Sequence, residues 1–218
     1  MKNYKNIKEK LQHVYFINGT AYAGKSSVCK ALANKYDMYH CEENYNFGDW
    51  LKETTSVTHP NMNYFNTMKN WEEFVTRSKE DYEAWIDGVS EETTPFEIEF
   101  LLSLPKDRSV IVDTNIPDNI LKQISDYNHV CYMVTTKEIS TNQFFNRSDR
   151  EKNFLLDVIN KTENPQQILK HYKEVLLYMS RDERVDKFRN SGFFCIERKT
   201  IEELIEDKIK LVEKHFNL

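Results

Sequence analysis

An eight-residue window near the amino terminus constrains the fold of this chain more than any other feature. It covers residues 19–26, reads GTAYAGKS, and matches the pattern G-x-x-x-x-G-K-[S/T] at every fixed position. The β-branched and aromatic run before it, residues 13–17, is typical of a buried strand. After it, Val28, Leu32 and Tyr36 recur at helical spacing. The window is therefore expected to be the loop of a strand–loop–helix unit.

This pattern, known as the Walker A motif or P-loop, carries phosphate chemistry. Its glycines let the backbone turn its N–H groups inward, and the following helix presents its own free N–H groups to an anion. Lys25 supplies a positive charge to the β- and γ-phosphates, and the Ser26 hydroxyl is an expected Mg²⁺ ligand. We expect the nucleotide phosphates to be bound by Gly19, Thr20, Ala21, Tyr22, Ala23, Gly24, Lys25, Ser26 and Ser27.

Strand and helix patterns alternate along the chain. Apolar runs predict strands at 13–18, 38–41, 109–113, 129–135 and 193–197. Between them, helical spacing predicts helices at 25–36, 139–145 and 164–180, a last helix from Thr200 to about Phe216, and a mostly helical stretch over 44–105. This alternation predicts an α/β fold with a parallel sheet covered by helices on both faces. No linker-like segment interrupts the chain, so residues 1–218 are expected to form a single domain.

An acidic residue ends the third predicted strand. Asp113 follows the apolar run Val110-Ile111-Val112, and in parallel sheets the carboxyl ends of the strands line the ligand crevice. Asp113 is thus expected to hold Mg²⁺ or its water. The competing interpretation is that it caps the helix that starts near Pro117.

Two more acids follow the second predicted strand. Either Glu42 or Glu43 would lie near the γ-phosphate, where a carboxylate accepts the proton of a substrate hydroxyl. Because side chains alternate along an extended strand, the two cannot both point inward, and Glu42 is preferred. Asp49 is a weaker candidate for the same role.

Arginines are expected to supply the remaining positive charge. Arg147 and Arg150 follow an aromatic-ended helix, and at this spacing they could neutralise transition-state charge on a triphosphate. Arg181, after the 164–180 helix, is expected to join them.

Composition excludes several other classes of function. The net charge of −5 and the lack of a basic stripe argue against binding to polymeric nucleic acid. Apolar runs are too short to span a bilayer, so no membrane partner is expected. The four cysteines form no CxxC pair, which argues against a zinc site and is typical of reduced thiols in a cytoplasmic protein.

The order of these parts resembles the P-loop kinases related to nucleoside, nucleotide and shikimate kinases. The resemblance implies a three-layer fold with strand order 2-3-1-4-5, and an ATP- and Mg²⁺-dependent transfer of the γ-phosphate to a small-molecule acceptor. It also implies that region 44–105 covers the acceptor and that a short lid spans about 144–164. Glu stands where many relatives carry Asp, and no nucleoside-reading signature is evident, so the acceptor stays open.

Several alternatives remain at this point. A nucleoside-monophosphate kinase and a non-catalytic ATP-binding regulatory module both fit the motif. A GTPase is disfavoured, because the nearest imitation of N-K-x-D, at residues 160–163, ends in Glu. The sequence leaves the ATP or GTP preference undecided, and a homodimer is left open.

Overall fold

A five-stranded sheet organises the protein. The computed structural model describes residues 4–144 and 150–218. Within them every neighbouring pair of strands is parallel, in the order β2-β3-β1-β4-β5. The strands are β1 (Val14–Gly19), β2 (Tyr39–Cys41), β3 (Val110–Asp113), β4 (Val130–Thr135) and β5 (Phe194–Arg198). Each lies within one residue of its predicted bounds, and the predicted parallel sheet and strand order are confirmed.

Helices occupy most of the remaining described chain. They are α1 (Tyr4–Lys10), α2 (Lys25–Tyr36), α3 (Phe47–Lys52), α4 (Tyr64–Thr67), α5 (Trp71–Val75), α6 (Lys79–Ser103), α7 (Asp118–Ile124), α8 (Lys137–Phe144), α9 (Arg150–Asn160), α10 (Pro165–Met179), α11 (Asp182–Arg189) and α12 (Ile205–Phe216). The stretch 44–105, predicted to be mostly helical, contains α3 to α6. In the part of the chain that the structure describes, no helix is long and apolar enough to cross a membrane.

The two faces of the sheet carry separate hydrophobic clusters. All residues of β3 and β4 are buried, as expected for central parallel strands covered on both sides. Because side chains alternate along β1, Phe16 joins one cluster and Ile17 the other. The Phe16 cluster packs against α1, α7 and the end of α6, and the Ile17 cluster packs against α2 and α12. Helices therefore cover both faces of the sheet, as the sequence predicts.

A third cluster is largely aromatic and lies among the helices. It combines Phe74 of α5 and Tyr82 of α6 with Phe144, Leu155 and Tyr172 of α8, α9 and α10. This cluster ties the first half of α6 to the helices that follow β4.

One helix start differs from the sequence-based expectation. Helix α10 begins where the sequence places it, with Asn164 at the N-cap position, although the Asn164 side chain makes no capping hydrogen bond. The last helix begins at Ile205 and not at Thr200. The reason is local: the guanidinium of Arg198 donates to the carbonyls of Thr200 and Ile201, and the Glu203 carboxylate accepts from the N–H of Thr200. These bonds hold the segment before α12 in a bend.

Gly19, the last residue of β1, offers a test of the backbone conformation at the start of the loop. Its φ is +133°, and a Cβ there would overlap the carbonyl oxygen of Met133 on β4. We predict that Gly19→Ala destabilises the fold by about 3 kcal/mol or more, because both the backbone conformation and the contact with β4 are lost. Gly48→Ala is the matched control, since it lies in α3 with nothing within 4 Å of an added Cβ, and it should stabilise by up to about 1 kcal/mol. Urea unfolding of both variants measures the difference, and equal stability would contradict this account of the loop.

Candidate functional site

The loop between β1 and α2 has an unusual backbone. Three of its residues have positive φ, namely Gly19 at +133°, Tyr22 at +64° and Gly24 at +99°. Tyr22 bears a side chain, and a left-handed conformation at such a residue is costly and typical of functional loops. The helix α2 then begins at Lys25, so the N–H groups of its first turn, which have no partner inside the helix, lie at the end of this loop.

Lys25 is buried at the start of α2. Its side chain is 6% exposed, its Nζ lies 3.7 Å from Oδ1 of Asp113, and it donates to the carbonyl of Thr20 at 3.4 Å. Burial by itself would lower the pKa of Lys25, but the charges of Asp113 and Glu43 outweigh burial and the pKa is raised. The ammonium group therefore stays charged beside the loop.

Ser26 and Asp113 form the second contact between α2 and β3. The Ser26 hydroxyl donates to Oδ2 of Asp113 at 2.8 Å. Asp113 is 2% exposed, and its Oδ1 has no hydrogen-bond partner within the described residues. Burial raises the pKa of Asp113, and the neighbouring Lys25 charge offsets part of that effect. The structure thus brings together Lys25, Ser26 and Asp113, as the sequence-based hypothesis requires.

These oxygens fit one half of a magnesium site. The Ser26 hydroxyl and the Asp113 carboxylate are hard oxygen ligands, and Mg²⁺ usually takes one or two protein oxygens together with phosphate oxygens and waters. Among the residues that the structure describes, no group of three or more His, Cys, Asp or Glu could form a metal cage. A magnesium ion here would complete its coordination with waters and phosphate oxygens.

The two acids after β2 differ in their surroundings. The strand ends at Cys41, so the alternation that favoured Glu42 does not continue through both acids. Glu43 accepts a hydrogen bond from the Asn115 amide at 3.2 Å, and its charge raises the pKa of both Lys25 and Asp113. Glu43 is exposed, and it lies close enough to the Lys25–Asp113 pair for its charge to act on both groups. Asp49 is exposed on α3 and pairs with Lys52.

Of the three arginines expected at the phosphates, the structure describes the side chain of Arg181 alone, and Arg181 pairs with α6 instead. Arg147 lies outside the described residues, and so does the side chain of Arg150, whose backbone begins α9. Arg181 binds the Glu83 carboxylate of α6 through both oxygens, at 2.8 and 2.9 Å, and stacks over the Tyr178 ring. Arg184 shares the same carboxylate.

A buried carboxyl that sequence reasoning missed lies near Asp113. Glu97 of α6 is 6% exposed, and burial raises its pKa to about 7. It lines a small cleft, called here the Glu97 cleft, together with Asn44, Tyr45, Trp50, Thr93, Asp113 and Asn115. The sequence does hint at this burial. Glu97 stands four residues before Leu101, so it falls on the apolar stripe of a helix, where an acid is expected to be buried.

A second cleft opens on the other side of the loop. It is lined by Tyr22, Ala23, Gly24, Ser27, Gln143, Arg198, Glu203, Ile205 and Lys208. Arg198, at the end of β5, donates to the carbonyl of Tyr22 at 3.2 Å and so links this cleft to the loop. One cleft therefore borders the loop, and the Glu97 cleft borders Asp113.

Glu97 provides a test of the buried carboxyl. The folded protein holds the Glu97 proton more tightly than the unfolded chain, so this residue reduces stability as pH rises from about 4.5 towards 7. In wild type, ionisation of Glu97 lowers the free energy of unfolding by up to about 3 kcal/mol as the pH rises. We predict that Glu97→Gln removes this loss, so that the variant is more stable than wild type at pH 8 but not at pH 4.5.

Glu99→Gln is the control, because Glu99 is exposed on the same helix. Urea unfolding at the two pH values gives the comparison. If Glu97→Gln and Glu99→Gln follow the same pH dependence as wild type, the Glu97 carboxyl is not buried in solution.

Comparisons with known proteins give no family for this chain. No protein-family model matches it, and no curated protein matches it either. One similar solved structure is that of an uncharacterized protein from Eubacterium ventriosum ATCC 27560. It is 12% identical, with a TM-score of 0.44, over 94% of this chain and 98% of that chain. A likeness at this level carries no argument about function.

Proposed function

We propose that the protein is a P-loop kinase, an ATP-dependent phosphotransferase that moves the γ-phosphate of ATP to a hydroxyl of a small-molecule acceptor. One observation carries the proposal: Lys25 and Ser26, the last two residues of the GTAYAGKS window, both meet the buried Asp113 at the carboxyl edge of the sheet. A chance glycine turn before a helix would not require a lysine, a hydroxyl and a carboxylate at this point.

Each of these groups has a separate role towards a triphosphate. The N–H groups at the start of α2 would bind phosphate oxygens, and Lys25, held charged, would contact the β- and γ-phosphates. Ser26 and Asp113 would hold Mg²⁺, which neutralises charge on the phosphates when bound. The cleft beside Tyr22 and Arg198 is the side on which the nucleoside part of ATP would lie.

The acceptor would approach from the opposite side of Asp113. Glu43 is the base we favour, because it bonds to Asn115 and its charge acts on Lys25 and Asp113; Glu42 and the weaker candidate Asp49 stay alternatives. A carboxylate there accepts the proton of the attacking hydroxyl. Arg147 and Arg150 remain predicted lid residues that would neutralise charge in the transition state.

ATP binding tests the proposal directly. We predict that the wild type binds ATP in calorimetry only weakly without Mg²⁺ and more tightly with it. Lys25→Ala should weaken ATP binding by about 10- to 100-fold, because a charge-assisted contact to phosphate is removed. Ser26→Ala should remove most of the increase in ATP affinity that Mg²⁺ causes, because a ligand of the ion is lost.

Lys30→Ala is the matched control, since Lys30 is an exposed lysine on the same helix. Thermal unfolding of each variant tests whether it is folded. This control is needed because Lys25→Ala leaves the buried Asp113 without its charged partner and so destabilises the protein. A folded wild type that takes up no ATP in the presence of Mg²⁺ would refute the proposal.

A further inference from the structure

The carboxyl ends of β4 and β5 are bonded to the 19–26 loop. Thr135 and Arg198 are the last residues of these two strands and lie opposite each other in the register of the sheet. The Thr135 hydroxyl donates to the carbonyl of Arg198 at 3.0 Å, and the Thr135 N–H donates to the Thr20 hydroxyl at 2.9 Å. Thr135 is 1% exposed, so water competes little for these bonds. The strand ends therefore hold the first part of the loop.

The Arg198 guanidinium extends this network to the middle of the loop. Its Nη1 donates to the carbonyl of Tyr22 at 3.2 Å. Its Nε and Nη2 donate to the carbonyls of Thr200 and Ile201, at 3.2 and 2.9 Å. One planar group thus joins three carbonyls from two separate segments of the chain. A lysine ammonium is a point charge on a flexible stem and does not reproduce this fork.

Tyr22, the loop residue that Arg198 contacts, has a backbone conformation that needs support. Its φ is +64°, which is costly for a residue with a side chain. The side chain is also held, because its hydroxyl donates to the carbonyl of Phe144 at 3.4 Å and the two rings meet edge to face. Strained conformations persist where the surroundings fix them on several sides. Arg198 and Phe144 provide such support here.

The Tyr22 carbonyl determines the direction of an N–H group in the loop. A peptide group is planar and trans, so the carbonyl of Tyr22 and the N–H of Ala23 point in opposite directions. While the carbonyl is bonded to Arg198, the Ala23 N–H points away from the guanidinium. Rotation of this peptide group would exchange the donor for an oxygen, which repels phosphate. Loops of this kind bind anions through successive N–H groups, so the orientation of the peptide matters for binding.

We propose that Arg198, supported by Thr135, is a positioning residue that holds the 19–26 loop in its phosphate-binding conformation before the nucleotide arrives. This inference rests on the proposed kinase function. Arg198 acts through the loop backbone, because its guanidinium is engaged by three carbonyls. Without these bonds the loop would have to be ordered during binding, and that ordering reduces affinity.

Two ligands that share phosphates but differ in the nucleoside test the inference. Calorimetry in the presence of Mg²⁺ measures the Kd of ATP and of inorganic triphosphate for wild type and for Arg198→Lys, which keeps the charge and loses the fork. We expect both Kd values to rise by the same factor, about 10-fold, because a charge-assisted hydrogen bond to the loop is lost. Thr135→Val should raise both by a smaller factor, since Arg198 keeps its own donors.

Amide hydrogen exchange of the ligand-free protein gives a second readout that needs no nucleotide. The N–H of Thr20 donates to the carbonyl of Met133 at 3.0 Å, and the N–H of Thr135 donates to the Thr20 hydroxyl. Both amides should exchange faster in Arg198→Lys, on the order of 10-fold, because the loop opens locally more often. If Arg198 only held the bend before α12, faster exchange would be confined to residues 199–205.

Arg189→Lys is the matched control, because the Arg189 guanidinium pairs with Glu197 of the same strand and with Asp186. It should leave both Kd values and the exchange of Thr20 as in wild type. Thermal unfolding tests whether each variant is folded, and Thr135→Val supplies the comparison if Arg198→Lys does not fold.

Three results would overturn the inference while the proposed function stands. They are unchanged Kd values in folded Arg198→Lys, unchanged exchange of the Thr20 amide, and weaker binding of ATP with unchanged binding of triphosphate. The last result would mean that Arg198 contacts the nucleoside and does not position the loop. A wild type that binds neither ligand would refute the proposed function, and the inference would fall with it.

Discussion

The buried carboxylate of Asp113 is the group on which the rest of the site depends. It ends the interior strand β3 and is 2% exposed. Two groups from the first turn of α2 contact it: the Ser26 hydroxyl by a hydrogen bond and the Lys25 ammonium by an ion pair. A buried charge that loses its partner costs about 3–5 kcal/mol, so this contact fixes where α2 starts relative to the sheet. The loop before α2 is thereby held with its positive-φ residues at the edge where the parallel strands end.

Two clefts lie near this carboxylate, and their linings differ in charge. The cleft that borders the loop is lined by Arg198 and Lys208 together with Glu203. The Glu97 cleft is lined by Glu97 and by Asp113 itself, and none of its described lining residues is Lys or Arg.

Much of the fold follows from short-range patterns in the sequence. Apolar runs bounded by polar residues located all the strands, because a central parallel strand must be apolar on both faces. The motif placed the start of α2 at Lys25, where the structure has it. The start of α12 could not be found in this way, because hydrogen bonds from the Arg198 side chain to the nearby carbonyls of Thr200 and Ile201 decide it, and an apolar pattern does not report such bonds.

The site was predictable only where the motif or a strand end marked it. Lys25, Ser26 and Asp113 were identified from such signals. The choice between Glu42 and Glu43 depended on where β2 ends and how the chain then turns, which no local pattern specifies. Glu97 was missed because an acid on the apolar stripe of a helix does not by itself show what it packs against, and its burial depends on how α6 packs against residues distant in sequence. Arg181 was expected at the phosphates, and its partner Glu83 is nearly one hundred positions away.

A crystal structure of the protein with Mg²⁺ and a non-hydrolysable ATP analogue tests the central claim most directly. The account predicts that the β- and γ-phosphates lie in the 19–26 loop within hydrogen-bond distance of Lys25 Nζ. It also predicts a Mg²⁺ ion about 2.1 Å from the Ser26 hydroxyl oxygen, with Asp113 beside the ion or its waters. A loop without nucleotide at saturating analogue, with Ser26 still bonded to Asp113, would contradict it.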